Sequence, residues 1–288
     1  MKICVHITFF VKYEKKINFN KLNKVIKNYL TLSKKTHIFV HTNINIKKKL
    51  KFVNFITHNL TNEDPHKLSW KCRTLMEKQK DQFDYYIYSE DDILFNKRNF
   101  KAWLNYKDLC IDNNFNLGFL RTEKSKKNKI LWSIDQPKNL DESMIIDKNV
   151  FVVLKNPYCA MWIYDNKEFN NFIKSEFWHL DDWSGDNPYT ELKTREKSAI
   201  GWHGLNMKRY KASIIPIKNF KIVEGFYIQH LDNKYIEHGP FSIKVQKLIN
   251  KDLKNYRDLN FIDFIFLYLK FFYKRYLRVN LKNYKKIN

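Results

Sequence analysis

Glycine and proline are scarce in this chain of 288 residues, six of each. That scarcity excludes collagen-like, linker-rich and solenoid architectures. Arginine is scarce as well: of 53 basic residues 8 are Arg and 45 are Lys, a poor match to sequence-specific DNA readers, which lean on Arg. The four cysteines, Cys4, Cys72, Cys110 and Cys159, stand far apart with no C-x-x-C pair. Zinc-ligand spacing and a disulfide scaffold are therefore both missing, and the four read as buried thiols of a reducing compartment. No run of about 18 uncharged apolar residues occurs, so no conventional spanning helix is expected. The opening MKICVHITFFVK is broken by His6 and Thr8 and followed by no small-residue cleavage site. It reads as a buried first strand, not a signal peptide. The patterns G-x-G-x-x-G, G-x-S-x-G and H-E-x-x-H and the phosphate-binding P-loop are absent, which removes the usual support for dinucleotide, serine-hydrolase, zincin and NTPase readings.

What is present supports a folded enzyme-sized body. Hydrophobic residues make up 44% and charged residues 29%, enough to bury a sizeable core and to exclude wholesale disorder. The length fits one large α/β domain, or a domain with a small appendage. The net charge of +23 points to an anionic partner: nucleic acid, an anionic membrane surface or a phosphorylated substrate. Lys and the 32 Asn are also what AT-rich coding over-supplies, so part of the charge reflects codons. With so little Arg, nucleic acid is the least expected of the three partners.

Along the first third, strand-like and helix-like segments alternate. Residues 2–11, 37–42, 52–57 and 84–89 read as strands, and 20–32 and 65–80 as helices, the second with Pro65 at its start. Such alternation implies βαβ units and a mostly parallel sheet. A helix is expected over 97–112, strand pieces between 115 and 165, a helix over 166–177, a loop-helix element over 181–204, and strands near 211–217 and 226–231. The folded part is expected to be residues 1–240, and 241–288 a basic, aromatic helical tail. That tail suits an anionic membrane surface; the alternative is a terminal helix packed on the domain.

The most informative segment is DYYIYSEDDILF, residues 84–95. A hydrophobic strand delivers Glu90, Asp91 and Asp92 together at its carboxyl end, where open α/β sheets bind ligands. Carboxylates so close raise one another's pKa unless a cation neutralises them, and hard oxygen ligands suit Mg²⁺ or Mn²⁺ shared with a diphosphate. A solvated turn meeting surface lysines is the alternative; the apolar Ile93-Leu94-Phe95 that follows argues against it. A second acidic pair, Asp181-Asp182, lies in FWHLDDW at 177–183, and a third island, FYIQHL, covers 226–231.

These three islands, in this order, resemble GT-A glycosyltransferases, and within them the N-acetylglucosaminyltransferase that initiates complex N-glycans. The match departs from the pattern at His179-Leu180, which are inserted between the Trp and the acid pair. The resemblance implies a GT-A-like α/β fold, with residues 1–112 as the nucleotide-sugar half and 113–240 as the acceptor half. It implies Mn²⁺ or Mg²⁺ as cofactor, a nucleotide-sugar donor, and a glycan or lipid-linked acceptor. Asp92 becomes the metal ligand, and Glu90 and Asp91 contact the donor. Asp181, with Asp182 as understudy, becomes the base that deprotonates the acceptor hydroxyl; a helix N-cap is the alternative for this pair. His230 is placed at the metal or diphosphate, or else inside the core. Thr8 and Phe9, ending the first strand, fall where the nucleobase is held. Arg73 reaches the diphosphate or base, or is solvated on the surface. Trp178, Trp183 and Trp202 floor a sugar site or serve as core. The activity implied is inverting hexosyl or N-acetylhexosaminyl transfer in surface polysaccharide, lipopolysaccharide or glycoprotein glycan synthesis. The opening without a signal-like pattern and the basic tail, not the resemblance, set the expected enzyme in the cytoplasm, peripheral to the membrane. The rival readings are a metal-dependent nuclease or phosphodiesterase and a non-enzymatic basic binding module.

Overall fold

The computed structural model describes residues 1–12, 19–47, 49–179, 193–205, 213–236, 239 and 241–255. The chain begins with β1 (Lys2–Phe9), α1 (Asn20–Leu30), β2 (Lys35–Thr42) and β3 (Val53–Thr57). A 3-10 turn at Pro65–Lys67, capped by the Asp64 side chain, leads into α2 (Leu68–Lys71) and α3 (Arg73–Lys78). The single helix expected over 65–80 is thus two short helices, offset at Cys72. Next come β4 (Tyr85–Glu90), β5 (Ile93–Leu94) and α4 (Lys97–Asp112), the last capped by a reciprocal Asn96–Asn99 box.

In the central sheet, β1, β2, β3 and β4 run parallel in the order β3-β2-β1-β4, as the alternating pattern predicts. The second half contributes β6 (Asn116–Leu117), β7 (Leu120–Lys124), β8 (Leu131–Ser133), β9 (Leu140–Ile146), β10 (Asn149–Val153), β11 (Met161–Asp165), α5 (Asn166–Ile173) and α6 (Thr194–Leu205). It continues with β12 (Ser213–Lys218), β13 (Lys221–Ile222), β14 (Tyr227–His230), β15 (Ile243–Lys244) and β16 (Ile249–Asn255). Two further sheets form, β13-β12-β10-β9-β16 with β6 alongside β12, and β15-β8-β7-β14-β5. β9 carries mixed residues, LDESMII, and escapes a reading based on apolar runs.

The two halves interlock. β11 crosses back to close the central sheet antiparallel to β4, while β5 leaves the first half to pair with β14. The boundary expected at 240 also moves, because β15 pairs with β8 and β16 with β9. Residues 243–255 therefore belong to the sheets; their Lys-rich sequence reads as tail, but backbone pairing does not require apolar side chains. From residue 256 on, the helical tail expected over 241–288 lies outside the described residues. Among the described residues no helix is long and apolar enough to cross a membrane.

Period-two alternation sorts the central sheet into two faces. On one face Tyr85 meets Phe100 and Trp103 of α4, and Tyr29 of α1 stacks on Phe95. On the other, Tyr86 stacks on Phe169 of α5, and Trp162 donates to the Ser198 carbonyl of α6. The sheet is thus sandwiched between helices and buried on both sides, as parallel sheets are. All four cysteines are free and buried, as expected.

The second face also carries a row of imidazoles. His6 Nδ1 lies 2.8 Å from His41 Nε2, and His41 Nδ1 lies 2.7 Å from His58 Nε2. His6 Nε2 lies 2.9 Å from the Gln79 carbonyl oxygen, which only accepts, so each ring donates through Nε2 and accepts through Nδ1. Burial pushes His6 down from 6.5 to about 3, and lowers His41 and His58 as well. The sign follows from linkage. The unfolded chain takes up protons near 6.5 that the fold refuses, so the contribution of His6 to stability is lost as pH falls from 6.5 toward about 3, and those of His41 and His58 are lost in the same direction below 6.5. In ¹⁵N–¹H spectra at about pH 5, His6 and His41 should keep the neutral Nε2–H pattern while the thermal midpoint falls as the pH drops below 6.5. Both rings titrating at their ordinary value would refute the assignment.

Candidate functional site

The carboxyl end of β4 is the centre of the site. Glu90 is the last strand residue and sits in register with Thr8 on β1. Its backbone N–H donates to the carbonyl of Ala160, a residue in the left-handed region at φ 60°. The Glu90 side chain is buried and accepts from the Tyr158 hydroxyl at 3.2 Å. Burial raises its pKa, offset by the Arg195 guanidinium 3.6 Å away. Asp91 follows in the turn, where burial first, then the charges of Asp92 and Glu90, push it up to about 7.

Asp92 is placed by backbone pairing. Its carbonyl accepts from Leu231 N–H, and Ile93 pairs with His230, so β5 and β14 hold the third acid against the late histidine. His230 Nε2 lies 3.0 Å from Asp92 Oδ2, and Nδ1 lies 2.5 Å from Oε1 of the fully buried Glu123. The second Glu123 oxygen accepts from Tyr235 N–H at 2.9 Å. Burial opposes charge on Asp92, yet the hydrogen bond and charge of His230 hold its carboxyl below the usual range. For His230, burial is likewise outweighed by Asp92 and Glu123, and its pKa is raised. The other Asp92 oxygen, Oδ1, is buried with no hydrogen-bond partner among the described residues, a costly arrangement for a carboxylate unless something positive meets it.

Asp232, two residues beyond β14, completes the group: one donor atom each from Asp92, His230 and Asp232 lies within 4.8 Å of the others. Two carboxylates and an imidazole backed by a carboxylate suit a divalent ion. The mixed oxygen and nitrogen set favours Mn²⁺ over Mg²⁺, which prefers oxygen alone. Lys21 of α1 and Lys234 both pair with Asp232, so its charge is offset without an ion.

Of the residues expected from sequence, Glu90, Asp91, Asp92 and His230 come together here. Thr8 joins them at the strand end, buried, its hydroxyl 3.1 Å from that of Tyr88. Phe9 does not: it faces the core and packs on Phe19, as alternation along β1 requires. Arg73 is neither solvated nor open to a ligand. It is buried, stacked 4.1 Å over Trp70, and donates to the carbonyls of Phe177, Trp178 and Ser198. Trp178 is core, edge-on to Phe169 and Phe172. Asp181, Asp182 and Trp183 lie outside the described residues, as does the side chain of Trp202.

Sequence reasoning missed Glu123, Tyr158 and Asp232. Glu123 sits within the short strand β7, with no local motif. Tyr158 is aimed at Glu90 by a polar knot in which the Gln136 amide bonds the backbone of residues 155 and 156, and Asn156 Oδ1 takes Tyr158 N–H. Asp232 had a signal, its place in FYIQHLD right after the island that supplied His230.

No family model matches the chain, and no curated protein is similar to it in sequence. Among solved structures it is similar to S. aureus TarS residues 1–349, at 12% identity and a TM-score of 0.38, covering 80% of this chain and 60% of that one. It is also similar to S. aureus TarS, at 14% identity and a TM-score of 0.39, covering 80% of this chain and 36% of the other. The chain thus spans less than two thirds of either. A likeness this distant leaves function to be argued from the site.

Two outcomes are expected. Arg73→Leu strands three buried carbonyls and should lower unfolding free energy by about 3 kcal/mol or more in urea titration, with an unchanged m-value. Mn²⁺ should bind and raise the thermal midpoint. Asp92→Asn should abolish binding, and Glu123→Gln should weaken it by about 10- to 100-fold, read by the EPR signal of free Mn²⁺. Equal affinity in wild type and Asp92→Asn would refute the site.

Proposed function

We propose that this chain is a metal-dependent glycosyltransferase. It would move a hexosyl or N-acetylhexosaminyl group from a nucleotide-sugar to an acceptor hydroxyl, with inversion, in surface polysaccharide, lipopolysaccharide or glycoprotein glycan synthesis. The observation that carries the reading is Asp92, with a buried oxygen unpartnered among the described residues, set beside the His230–Glu123 pair and Asp232 at the carboxyl end of a central parallel strand. Ligands in open α/β sheets sit at that end.

In this reading Asp92, His230 and Asp232 hold Mn²⁺, which when bound supplies neutralising charge to the departing diphosphate. Glu123 keeps the His230 ring oriented with its Nε2 toward the ion. Glu90, fixed by Tyr158, and Asp91 line the donor. The acceptor oxygen forms its bond to the anomeric carbon as the bond from that carbon to the phosphate oxygen breaks, and its electrons stay with the diphosphate. The acceptor's proton passes to a carboxylate, for which Asp181 or Asp182 is the sequence-based choice. Asp91, pushed up to about 7 by burial and the charges of Asp92 and Glu90, would be lowered again by a cation bound beside it.

The phosphodiesterase reading uses the same acids. Incubation with UDP-sugars and Mn²⁺ separates the two. Release of UDP without acceptor, reduced at least about 100-fold by Asp92→Asn, is expected. Cleavage of DNA or RNA with no turnover of any nucleotide-sugar would overturn the proposal.

A further inference from the structure

Most arginines near the site have their donors spent. Arg121 is locked onto Asp135 by two bonds of 2.7 and 2.6 Å, and Arg73 onto three carbonyls. Arg195 is different. Its side chain is 43% exposed, and its Nε stands 3.6 Å from Glu90 Oε1, within ion-pair range and beyond a hydrogen bond. Among the described residues no hydrogen bond reaches its guanidinium.

The backbone beneath it is held firmly. Trp70 Nε1 donates to the Thr194 carbonyl at 2.7 Å, Trp162 Nε1 and Arg73 both donate to the Ser198 carbonyl, and Ser198 Oγ donates to the carbonyl of Arg195 itself. Further along, α6 kinks at Gly201, whose φ of 73° and contact with Trp162 and Tyr164 leave no room for a Cβ. The start of α6 is thus pinned to the α2–β11 side of the sheet, while the guanidinium reaches toward Glu90. Glu90 is the one carboxylate at ion-pair distance from the fork among the described residues. A planar fork whose donors meet no acceptor among the described residues, on a fixed stem, matches a phosphate's oxygens two at a time.

We propose that Arg195 binds the terminal phosphate of the donor's diphosphate. It would act from the Glu90 side of the cleft, while Asp92, His230 and Asp232 act on the same group through a cation. The inference rests on the glycosyl-transfer reading. When the bond between the anomeric carbon and the phosphate oxygen breaks, the electron pair stays on that oxygen, and a cation already in place stabilises the charge as it develops. In the free protein Glu90 holds the guanidinium near this position without consuming its donors.

Calorimetry with UDP and GDP, each in Mn²⁺, against UMP and GMP tests this. Arg195→Ala should weaken the diphosphate that wild type binds by about 10-fold or more, and the matching monophosphate by less than about twofold. Arg195→Lys should recover part of the loss. Mn²⁺ affinity and thermal midpoint should stay at wild-type values, which separates a binding role from a folding defect. Unchanged diphosphate affinity in Arg195→Ala, or equal losses of diphosphate and monophosphate, would overturn the role of Arg195 and leave the glycosyl-transfer reading standing. If wild type binds neither diphosphate in Mn²⁺, both fall together.

Discussion

Three carboxylates at the end of one buried strand repel one another, and the surrounding structure is arranged to offset that charge. Each acid is treated differently. Glu90 is shielded by Tyr158 and faced by Arg195, Asp92 is held ionised against burial by His230, and Asp91 is left to rise. Environment, not residue type, sets the three apart. Asp92 Oδ1, buried and without a donor among the described residues, is the atom that the proposed cation would meet.

That arrangement depends on the crossing of the two halves. β5 carries the chain away from the acids and straight into pairing with β14, so the distance between Asp92 and His230, 138 positions apart in sequence, is fixed by a two-residue ladder. β7 pairs with β14 from the other side and places Glu123 behind the ring. β11 closes the central sheet next to β4, and the turn before it brings the Ala160 carbonyl to Glu90 N–H. Strand pairing is a precise way to hold such a site, because register is set by many backbone bonds at once.

The parallel core and its acidic strand end were legible because period-two alternation, caps and a charge cluster after an apolar strand are local signals. β1 through β4, α1 and α4 fall close to their expected places. Long-range pairings left no such mark. The Lys-rich β16 reads as solvated tail until β9 supplies its partner, and Glu123 is an unremarkable acid until β14 brings His230 against it. Arg73 shows the limit most clearly. A charged residue in a helix reads as surface, yet three carbonyls and an indole face receive it in the interior. A buried charge of this kind is decided by acceptors more than a hundred positions away in sequence.

The row of histidines has a further consequence. With every ring oriented alike, His58, His41 and His6 add their polarity head to tail, with the hydrogen-bearing end at Gln79 and a bare nitrogen lone pair at the half-buried end. The chain of rings cannot reverse one member at a time, since a single inverted imidazole would set two hydrogens, or two lone pairs, against each other. Gln79 therefore dictates, through two intermediaries, what the protein presents to solvent beside β3: a hydrogen-bond acceptor.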